Sequence, residues 1–307
     1  MYNGLALDSA KARRLSRFHA YLPPAELGRG TLPGDEAGIP GSEVSAVPYQ
    51  NILIERDEHI AVITINRPQV RNALDALTLR ELGAAVDEIE ADQTVRALVV
   101  TGAGDRAFVA GADINEIRDL VGAQEAEAFA QNGQGVLYKM EQLPKPVIAA
   151  INGYALGGGA ELALAADIRL AADTARLGFS EINLGIFPGF GGTQRLPRLI
   201  GRSAAKLMIF TGKMIDAREA LRLGLVDRVY PATELLPAAK ALAKTLATKA
   251  PVAMALAKQA VNLGMETSLE RGTSLEVRLF GQVCASEDRV EGTRAFLEKR
   301  QPEFKGR

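Results

Sequence analysis

Pro146-Val-Ile-Ala-Ala-Ile-Asn-Gly-Tyr-Ala-Leu-Gly-Gly-Gly-Ala-Glu-Leu-Ala-Leu-Ala-Ala166 is the stretch that decides how the rest of this chain folds. Its apolar run Val147–Ile151 is short enough for a buried strand, which Asn152-Gly153 ends. Gly157-Gly158-Gly159 then opens a new element. Leu162–Ala166 continues without a polar face, which indicates a helix that is buried on all sides.

Glu161 lies in the first turn of this apolar helix. Desolvating a carboxylate there costs several kcal/mol unless a partner or a chemical task compensates. The free N–H groups and partial positive charge of a helix start suit a developing oxyanion, and glycines let a ligand approach them. We therefore favour a site for acyl chemistry. The alternative is a glutamate that only complements the helix dipole beside a tight turn.

The composition excludes several classes of protein. The 307 residues are 47% hydrophobic and 24% charged, and the net charge of −1 gives no field that would attract nucleic acid or an anionic membrane. The single Cys284 excludes a disulfide framework and a multi-cysteine metal site. His19 and His59 leave little for a zinc enzyme or a Ser-His-Asp triad. Carboxylates and backbone must therefore carry the chemistry, with no metal and no separate cofactor.

Residues 1–49 differ from the rest of the chain. Glycine and proline fill 11 of the first 50 positions, and no apolar period persists. We interpret residues 1–49 as an N-terminal extension that is partly disordered. Its basic segment Lys11–Arg17 fits a transit peptide, but Asp8 and Glu26 argue against one. No apolar run is long enough to cross a membrane. We expect a cytoplasmic protein, or a mitochondrial matrix protein if the extension is a transit peptide.

The folded body begins near Tyr49. Strand patterns at 51–56 and 60–66, a helix capped by Asp75 and a strand at 95–101 indicate a right-handed parallel crossover. After residue 200 the pattern becomes helical. We therefore divide the chain into the extension at 1–49, an α/β core at 50–200 and a helical region at 201–307.

A second carboxylate, Glu181, follows Glu161 by 20 residues in a stretch that Pro197 is expected to stop. Its neighbours are apolar, and the turn at Pro188-Gly189 brings backbone close to any ligand. The two glutamates make a candidate acid/base pair. The alternative for Glu181 is a cap or an ion pair with Arg195 or Arg198.

A second small-residue turn, Phe108–Asn115, surrounds Gly111, and Asp113 is placed to cap a helix. Two such turns, each after a parallel strand, can each supply one amide to the same oxygen. The alternative is an ordinary strand-to-helix turn.

Taken together, these segments resemble the enoyl-CoA hydratase/isomerase (crotonase) superfamily from about residue 50 to 305. The motifs that carry the resemblance are N-R-P-x-x-x-N-A-L at Asn66–Leu74, A-F-V-A-G-A-D-I at Ala107–Ile114, N-G-Y-A-L-G-G-G-A-E-L at Asn152–Leu162, E-I-N-L-G-I-F-P-G-F-G-G-T-Q-R-L at Glu181–Leu196 and A-F-L-E-K-R at Ala295–Arg300. Five motifs in order make the signal specific.

The resemblance implies a spiral core of repeated β-β-α units and a C-terminal helical region that builds homotrimers, commonly paired into homohexamers. It implies an acyl-CoA thioester as substrate, with oxyanion-hole amides at Ala112 and Gly158. It implies catalytic carboxylates at Glu161 and Glu181, as in the two-glutamate hydratases. Substrate-binding positions follow from the same motifs: Ala110, Asp113, Ile114, Gly189 (a turn that helps to position water), Phe296 and Lys299 (the nucleotide end of CoA). Asn115 departs from the lysine of the best-known hydratases.

These residues predict an enoyl-CoA hydratase that adds water reversibly and syn to trans-2-enoyl-CoA, giving 3-hydroxyacyl-CoA in fatty-acid or branched acyl-CoA degradation. The alternatives are another reaction of the family, such as double-bond isomerisation, or an RNA-binding relative. The helix at Thr78–Glu90 argues against RNA, because Arg80 is outnumbered there by acidic residues. An inactive structural subunit is disfavoured because both glutamates are present. Acyl-chain preference would depend on wall residues around Ile114, Ile117 and Phe187.

Overall fold

A computed structural model describes residues 49–307 and shows an α/β fold with two sheets. The expectations for residues 1–48, including the basic segment Lys11–Arg17, lie outside the described residues. Within 49–307 no helix combines the length and apolarity needed to cross a membrane.

The described part of the chain contains ten strands and eleven α-helices. The strands are β1 (Ile52–Asp57), β2 (Ile60–Ile65), β3 (Ala97–Gly102), β4 (Ala107–Val109), β5 (Val147–Ile151), β6 (Tyr154–Leu156), β7 (Ile168–Ala172), β8 (Arg176–Gly178), β9 (Ile215–Asp216) and β10 (Arg228–Tyr230). The helices are α1 (Ala76–Ala91), α2 (Ile114–Arg118), α3 (Gly122–Gln142), α4 (Gly158–Leu164), α5 (Gly192–Ile200), α6 (Arg202–Thr211), α7 (Ala217–Leu223), α8 (Leu235–Ala247), α9 (Pro251–Met265), α10 (Leu269–Cys284) and α11 (Glu287–Glu298).

The strands form two sheets, and the chain passes repeatedly from the larger sheet to the smaller one. The larger sheet has the order β1-β2-β3-β5-β7-β10, in which β1 and β2 pair antiparallel and the other neighbours pair in parallel. The smaller sheet has the order β4-β6-β8-β9. The pairs β3/β4, β5/β6 and β7/β8 each place one strand in each sheet before the chain enters a helix. This is the repeated β-β-α core that the resemblance implies, and the predicted fold class is confirmed.

The predicted helix α1 shows why local sequence signals succeed in this chain. The Asp75 carboxylate accepts the N–H of Thr78 and caps the first turn. The predicted apolar face is buried and packs into the core: Leu79, Leu82, Val86 and Ile89. Strands β2 and β3 on either side of α1 pair in parallel, as the crossover requires.

Helix α4 is the most enclosed helix of the core, and all seven of its residues are buried. Its first turn presses against the end of β4. A Cβ on Gly159 would lie 2.0 Å from the carbonyl oxygen of Val109, so only glycine fits between the two backbones. The glycine run therefore sets the distance between α4 and the smaller sheet.

The region 201–307 is largely helical but also extends both sheets. Strand β9 pairs antiparallel with β8, and β10 pairs parallel with β7. Helices α9, α10 and α11 carry large apolar side chains that this single chain leaves exposed, including Leu269, Val277, Phe280, Phe296 and Leu297.

One local expectation is wrong, because the stretch that begins at Phe179 does not stop at Pro197. Helix α5 runs through Pro197 to Ile200. A proline in a helix interior removes one backbone hydrogen bond and crowds the carbonyl one turn earlier. Two residues of this helix hold it against the core: Leu196 is buried, and Arg195 forms an ion pair with Glu141 of α3.

We predict that Gly159→Ala lowers the free energy of unfolding by more than about 3 kcal/mol or leaves the protein insoluble, because the new methyl group overlaps the Val109 carbonyl. Gly135→Ala is the matched control, since a Cβ there meets nothing within 4 Å on the helix α3. The control should gain up to about 1 kcal/mol from helix propensity. Urea unfolding of both variants measures the difference, and equal midpoints would disprove the proposed tight contact.

Candidate active site

A cavity of about 1150 Å³ opens where the glycine run meets the turn after β8. The start of α4, the wall of α3 and the loop at 180–191 enclose it. Glu161 and Glu181 both line this cavity. The structure therefore brings together the two carboxylates that the sequence predicts as a pair.

Glu161 is held from outside its own helix. Its side chain is buried, and its Oε1 accepts the backbone N–H groups of Phe190 (2.8 Å) and Gly192 (2.7 Å). The contact requires glycine at 192, where a Cβ would lie 2.9 Å from Oε1. The loop amides, rather than the helix dipole alone, thus account for its placement.

Burial raises the pKa of Glu161 to about 7. The hydrogen bonds from Gly192 and Phe190 act in the opposite direction, since they stabilise the charged form, while the nearby Glu181 carboxylate raises the pKa further. Near neutral pH this carboxyl group can therefore take up or release a proton.

Glu181 opens a short 3-10 turn at Glu181–Leu184 and lies opposite Glu161 in the cavity. Burial raises its pKa as well. Its Oε2 is buried and has no hydrogen-bond partner within residues 49–307. The ion-pair alternative is wrong, because Arg195 pairs with Glu141 at 2.8 Å and Arg198 with Glu266 at 3.2 Å.

The Glu181 carboxylate lies against the backbone of Gly157. Its backbone has φ +49°, a conformation that favours glycine, and a Cβ there would lie 2.7 Å from Oε1 of Glu181. The residue that follows β6 therefore brings the second carboxylate against the start of α4, four residues from Glu161.

The two predicted oxyanion-hole amides are neighbours. A Cβ placed on Gly158 would lie 3.3 Å from the backbone nitrogen of Ala112. Leu74 bridges the residues on either side of Ala112 by bonding to the Gly111 carbonyl and the Asp113 N–H. Within residues 49–307 neither the Ala112 N–H nor the Gly158 N–H finds an acceptor. Both donors are available to one oxygen atom in the cavity.

Of the other predicted positions, Ala110, Ile114 and Gly189 line the cavity, as do the expected wall residues Ile117 and Phe187. The remaining three do not line it. Asp113 instead caps α2, where its Oδ1 accepts the N–H of Asn115. Phe296 and Lys299, on and just after α11, are exposed outside the cavity in this chain.

Several further residues, which no motif in the sequence indicates, support the site. The carbonyl of Gly189 accepts a 2.7 Å hydrogen bond from Gln134, and the ring of Phe190 packs 5.3 Å from that of Phe129. Gln134 and Glu141 lie seven residues apart and so on one face of α3. This helical spacing is the one signal in the sequence that indicates that Gln134 and Glu141 lie together.

Within residues 49–307 no three His, Cys, Asp or Glu side chains gather as a metal site would require. Where α4 begins, the cavity brings the carboxylates of Glu161 and Glu181 together with the two backbone donors of Ala112 and Gly158. Together they can stabilise an enolate oxygen and move a proton to and from an adjacent carbon.

Known proteins are similar to this chain in sequence and in fold. The enoyl-CoA hydratase/isomerase family matches residues 55–307. The crotonyl-CoA hydratase of Syntrophomonas wolfei is 48% identical over 83% of this chain and 98% of that protein. The short-chain-enoyl-CoA hydratase of Clostridium acetobutylicum is 47% identical over 84% of this chain and 98% of its own. The crystal structure of an enoyl-CoA hydratase from Bacillus anthracis superposes with a TM-score of 0.81, at 42% identity over 84% of this chain and 100% of that one.

We predict that Glu161→Gln stabilises the fold at pH 8 and leaves it unchanged at pH 4.5. The pKa of Glu161 is about 7 in the folded protein and about 4.5 in the unfolded chain. The wild type therefore loses stability as the pH rises from 4.5 through about 7, because the buried carboxyl group must then ionise. The difference corresponds to about 3 kcal/mol above pH 7. The side-chain amide of the variant keeps an oxygen that can accept the two loop N–H groups.

Urea unfolding at the two pH values measures this gain. Glu90→Gln, on the exposed side of α1, is the control that removes a carboxylate without removing a buried one. A Glu161→Gln variant that is equally stabilised at both pH values, or is less stable at pH 8, would show that the buried carboxylate is not a cost.

Proposed function

The chain belongs to the enoyl-CoA hydratase/isomerase family, and we propose that it works as an enoyl-CoA hydratase through Glu161 and Glu181. The enzyme is a hydro-lyase that adds water reversibly to trans-2-enoyl-CoA and gives 3-hydroxyacyl-CoA. The observation that carries the assignment of residues is the pair of glutamates in one cavity, beside two backbone N–H groups that find no acceptor in the described part of the chain.

The amides of Ala112 and Gly158 bind the thioester carbonyl oxygen. As water adds to C3, negative charge moves onto this oxygen and the two hydrogen bonds strengthen. A fixed backbone donor of this kind lowers the barrier by about 3 kcal/mol. The start of α4 adds the partial positive charge of its free N–H groups.

The two glutamates hold one water molecule between them and divide the proton transfers. Phe190 and Gly192 donate to Glu161, which favours its ionised form, so we assign Glu161 as the base that activates the water. Glu181 has a buried oxygen that receives no donor from residues 49–307, which favours its protonated form, so we assign it as the acid that protonates C2. Both carboxyls act from one side of the double bond, and the addition is syn.

The apolar wall of the cavity receives the acyl chain. Ile114, Ile117 and Phe187 line it together with alanines of α3. The similar proteins from Syntrophomonas wolfei and Clostridium acetobutylicum are named for crotonyl-CoA and for short-chain enoyl-CoA. We take a short-chain enoyl-CoA as the first substrate to test.

We further propose that the active enzyme is a homotrimer or a homohexamer. The exposed apolar side chains of α10 and α11, among them Phe280 and Leu297, are the support for this assembly. Phe296 and Lys299 lie on the same part of the chain and would reach the nucleotide end of a CoA bound to a neighbouring subunit.

We predict that Glu161→Gln and Glu181→Gln each lower kcat for crotonyl-CoA hydration by at least about 100-fold, because each removes a proton-transfer group. Loss of the 2-enoyl thioester absorbance measures the rate. Glu90→Gln should keep wild-type activity. No turnover by the wild-type protein would refute the proposed reaction, and an active Glu181→Gln variant would refute the pairing.

We predict that kcat/KM of the wild type falls as the pH drops below about 7. Glu161 must be ionised to accept a proton from water, and burial raises its pKa to about 7. The measurement is the pH–rate profile with crotonyl-CoA. A profile that stays flat down to about pH 5 would contradict the role of Glu161 as the base.

A further inference from the structure

The loop that binds Glu161 alternates the direction of its peptide groups. The N–H groups of Phe190 and Gly192 converge on Oε1 of Glu161, at 2.8 and 2.7 Å. The carbonyl of Phe190 lies between them in sequence and accepts a 3.0 Å hydrogen bond from Nη1 of Arg195 instead. Arg195 thus binds a peptide oxygen that separates the two donors.

The guanidinium lies in a notch of this loop. Gly191 has φ +106°, and a Cβ there would lie 2.3 Å from Nη1 of Arg195. The left-handed backbone and the close approach of the cation therefore both require glycine at this position. No side chain at 191 keeps Arg195 away from the Phe190 carbonyl.

A second contact fixes the guanidinium from the other side. Glu141 on α3 accepts hydrogen bonds from Nη2 (2.8 Å) and Nε (3.3 Å) of Arg195. The Arg195 side chain is 17% exposed and that of Glu141 31%, so the pair is largely shielded from solvent. The planar, forked guanidinium of Arg195 donates to α3 and to the loop at the same time in a fixed geometry, which the single ammonium group of a lysine cannot reproduce.

We propose that Arg195 is a positioning residue, whose guanidinium, fixed by Glu141, orients the 190–192 loop so that Phe190 and Gly192 present their N–H groups to Glu161. It touches no reacting atom and acts through Glu161. This inference rests on the proposed function, because Glu161 is the base of that reaction.

The position of Arg195 also affects the charge at the site. The charged groups around Glu161 are Glu181 from the 3-10 turn and Arg195 from α5, with Glu141 of α3 behind Arg195. The Arg195 charge lowers the pKa of Glu161, against the larger effect of burial, whereas Glu181 raises it. Without Arg195, protonation of Glu161 should therefore extend to higher pH.

The test compares Arg195→Met, Arg195→Lys and wild type on crotonyl-CoA. For Arg195→Met we expect kcat to fall by about 100-fold, as for a misplaced catalytic group, with the acid limb of the pH profile displaced to higher pH. Arg195→Lys keeps the charge but loses the fork, so its acid limb should return toward the wild-type position with only part of kcat. Calorimetry with butyryl-CoA, a saturated thioester that cannot be hydrated, should show unchanged binding to all three proteins.

A double-mutant cycle decides whether Arg195 acts through Glu161. In the Glu161→Gln background, Arg195→Met should cost little further activity, because the base is already absent. A full additional loss there, or an Arg195→Met variant with wild-type kcat and pH profile, would overturn the proposal. If Arg195→Met does not fold, Glu141→Leu removes the acceptor that fixes the guanidinium and should give a smaller loss of the same kind, and wild-type behaviour would again overturn the proposal. Wild-type turnover is the separate check on the hydratase reaction itself.

Discussion

The contact between Gly159 and the Val109 carbonyl is the constraint on which the rest of the candidate active site depends. It allows the start of α4 to approach the end of β4 more closely than any side chain would permit. That approach puts the Gly158 amide beside the Ala112 amide, and it places Glu161, on the same helical turn, beside the loop at 190–192. Two sheets joined by repeated β-β-α units hold both backbones in place.

The site buries two carboxyl groups, which are more stable in contact with water. One carboxyl group lies in a fully buried helix, and a second has an oxygen without a partner in the described part of the chain. Burial raises the pKa of both groups, and only Glu161 receives loop N–H groups that act against this effect. A fold selected for stability alone would replace them. We explain their presence by the proposed reaction, which needs one group to give a proton while the other takes one.

The sequence predicts the fold and the centre of the site where local signals are strong. Asp75 caps α1 as its residue type predicts, and Val147–Ile151 and Gly158–Leu164 form the expected strand and buried helix, whereas the short strand β6 between them is not predicted. The sequence does not reveal the loop amides that bind Glu161, since a backbone N–H has no signature in a sequence. Nor does it reveal the path of α5 through Pro197, because contacts distant in sequence outweigh the local preference of proline. The assignment of Phe296 and Lys299 as substrate-binding residues rests on a motif alone, and in a single chain both residues lie apart from the cavity.

In the proposed site, backbone amides bind the carbonyl oxygen, whereas side chains form the wall that we assign to the acyl chain. The amides of the proposed oxyanion hole belong to Ala112 and Gly158. A Cβ on the flanking Gly157 would lie 2.7 Å from Oε1 of Glu181, and one on Gly159 would lie 2.0 Å from the Val109 carbonyl oxygen, so substitution of either glycine would displace the groups of the site. The wall that we assign to the acyl chain consists of side chains on α2 and α3 and in the loop at 184–187, none of which supplies those amides. Substitutions in this wall can therefore change which acyl chains fit while the amides that bind the carbonyl oxygen stay in place. This separation makes the fold a good starting point for evolving new acyl specificities.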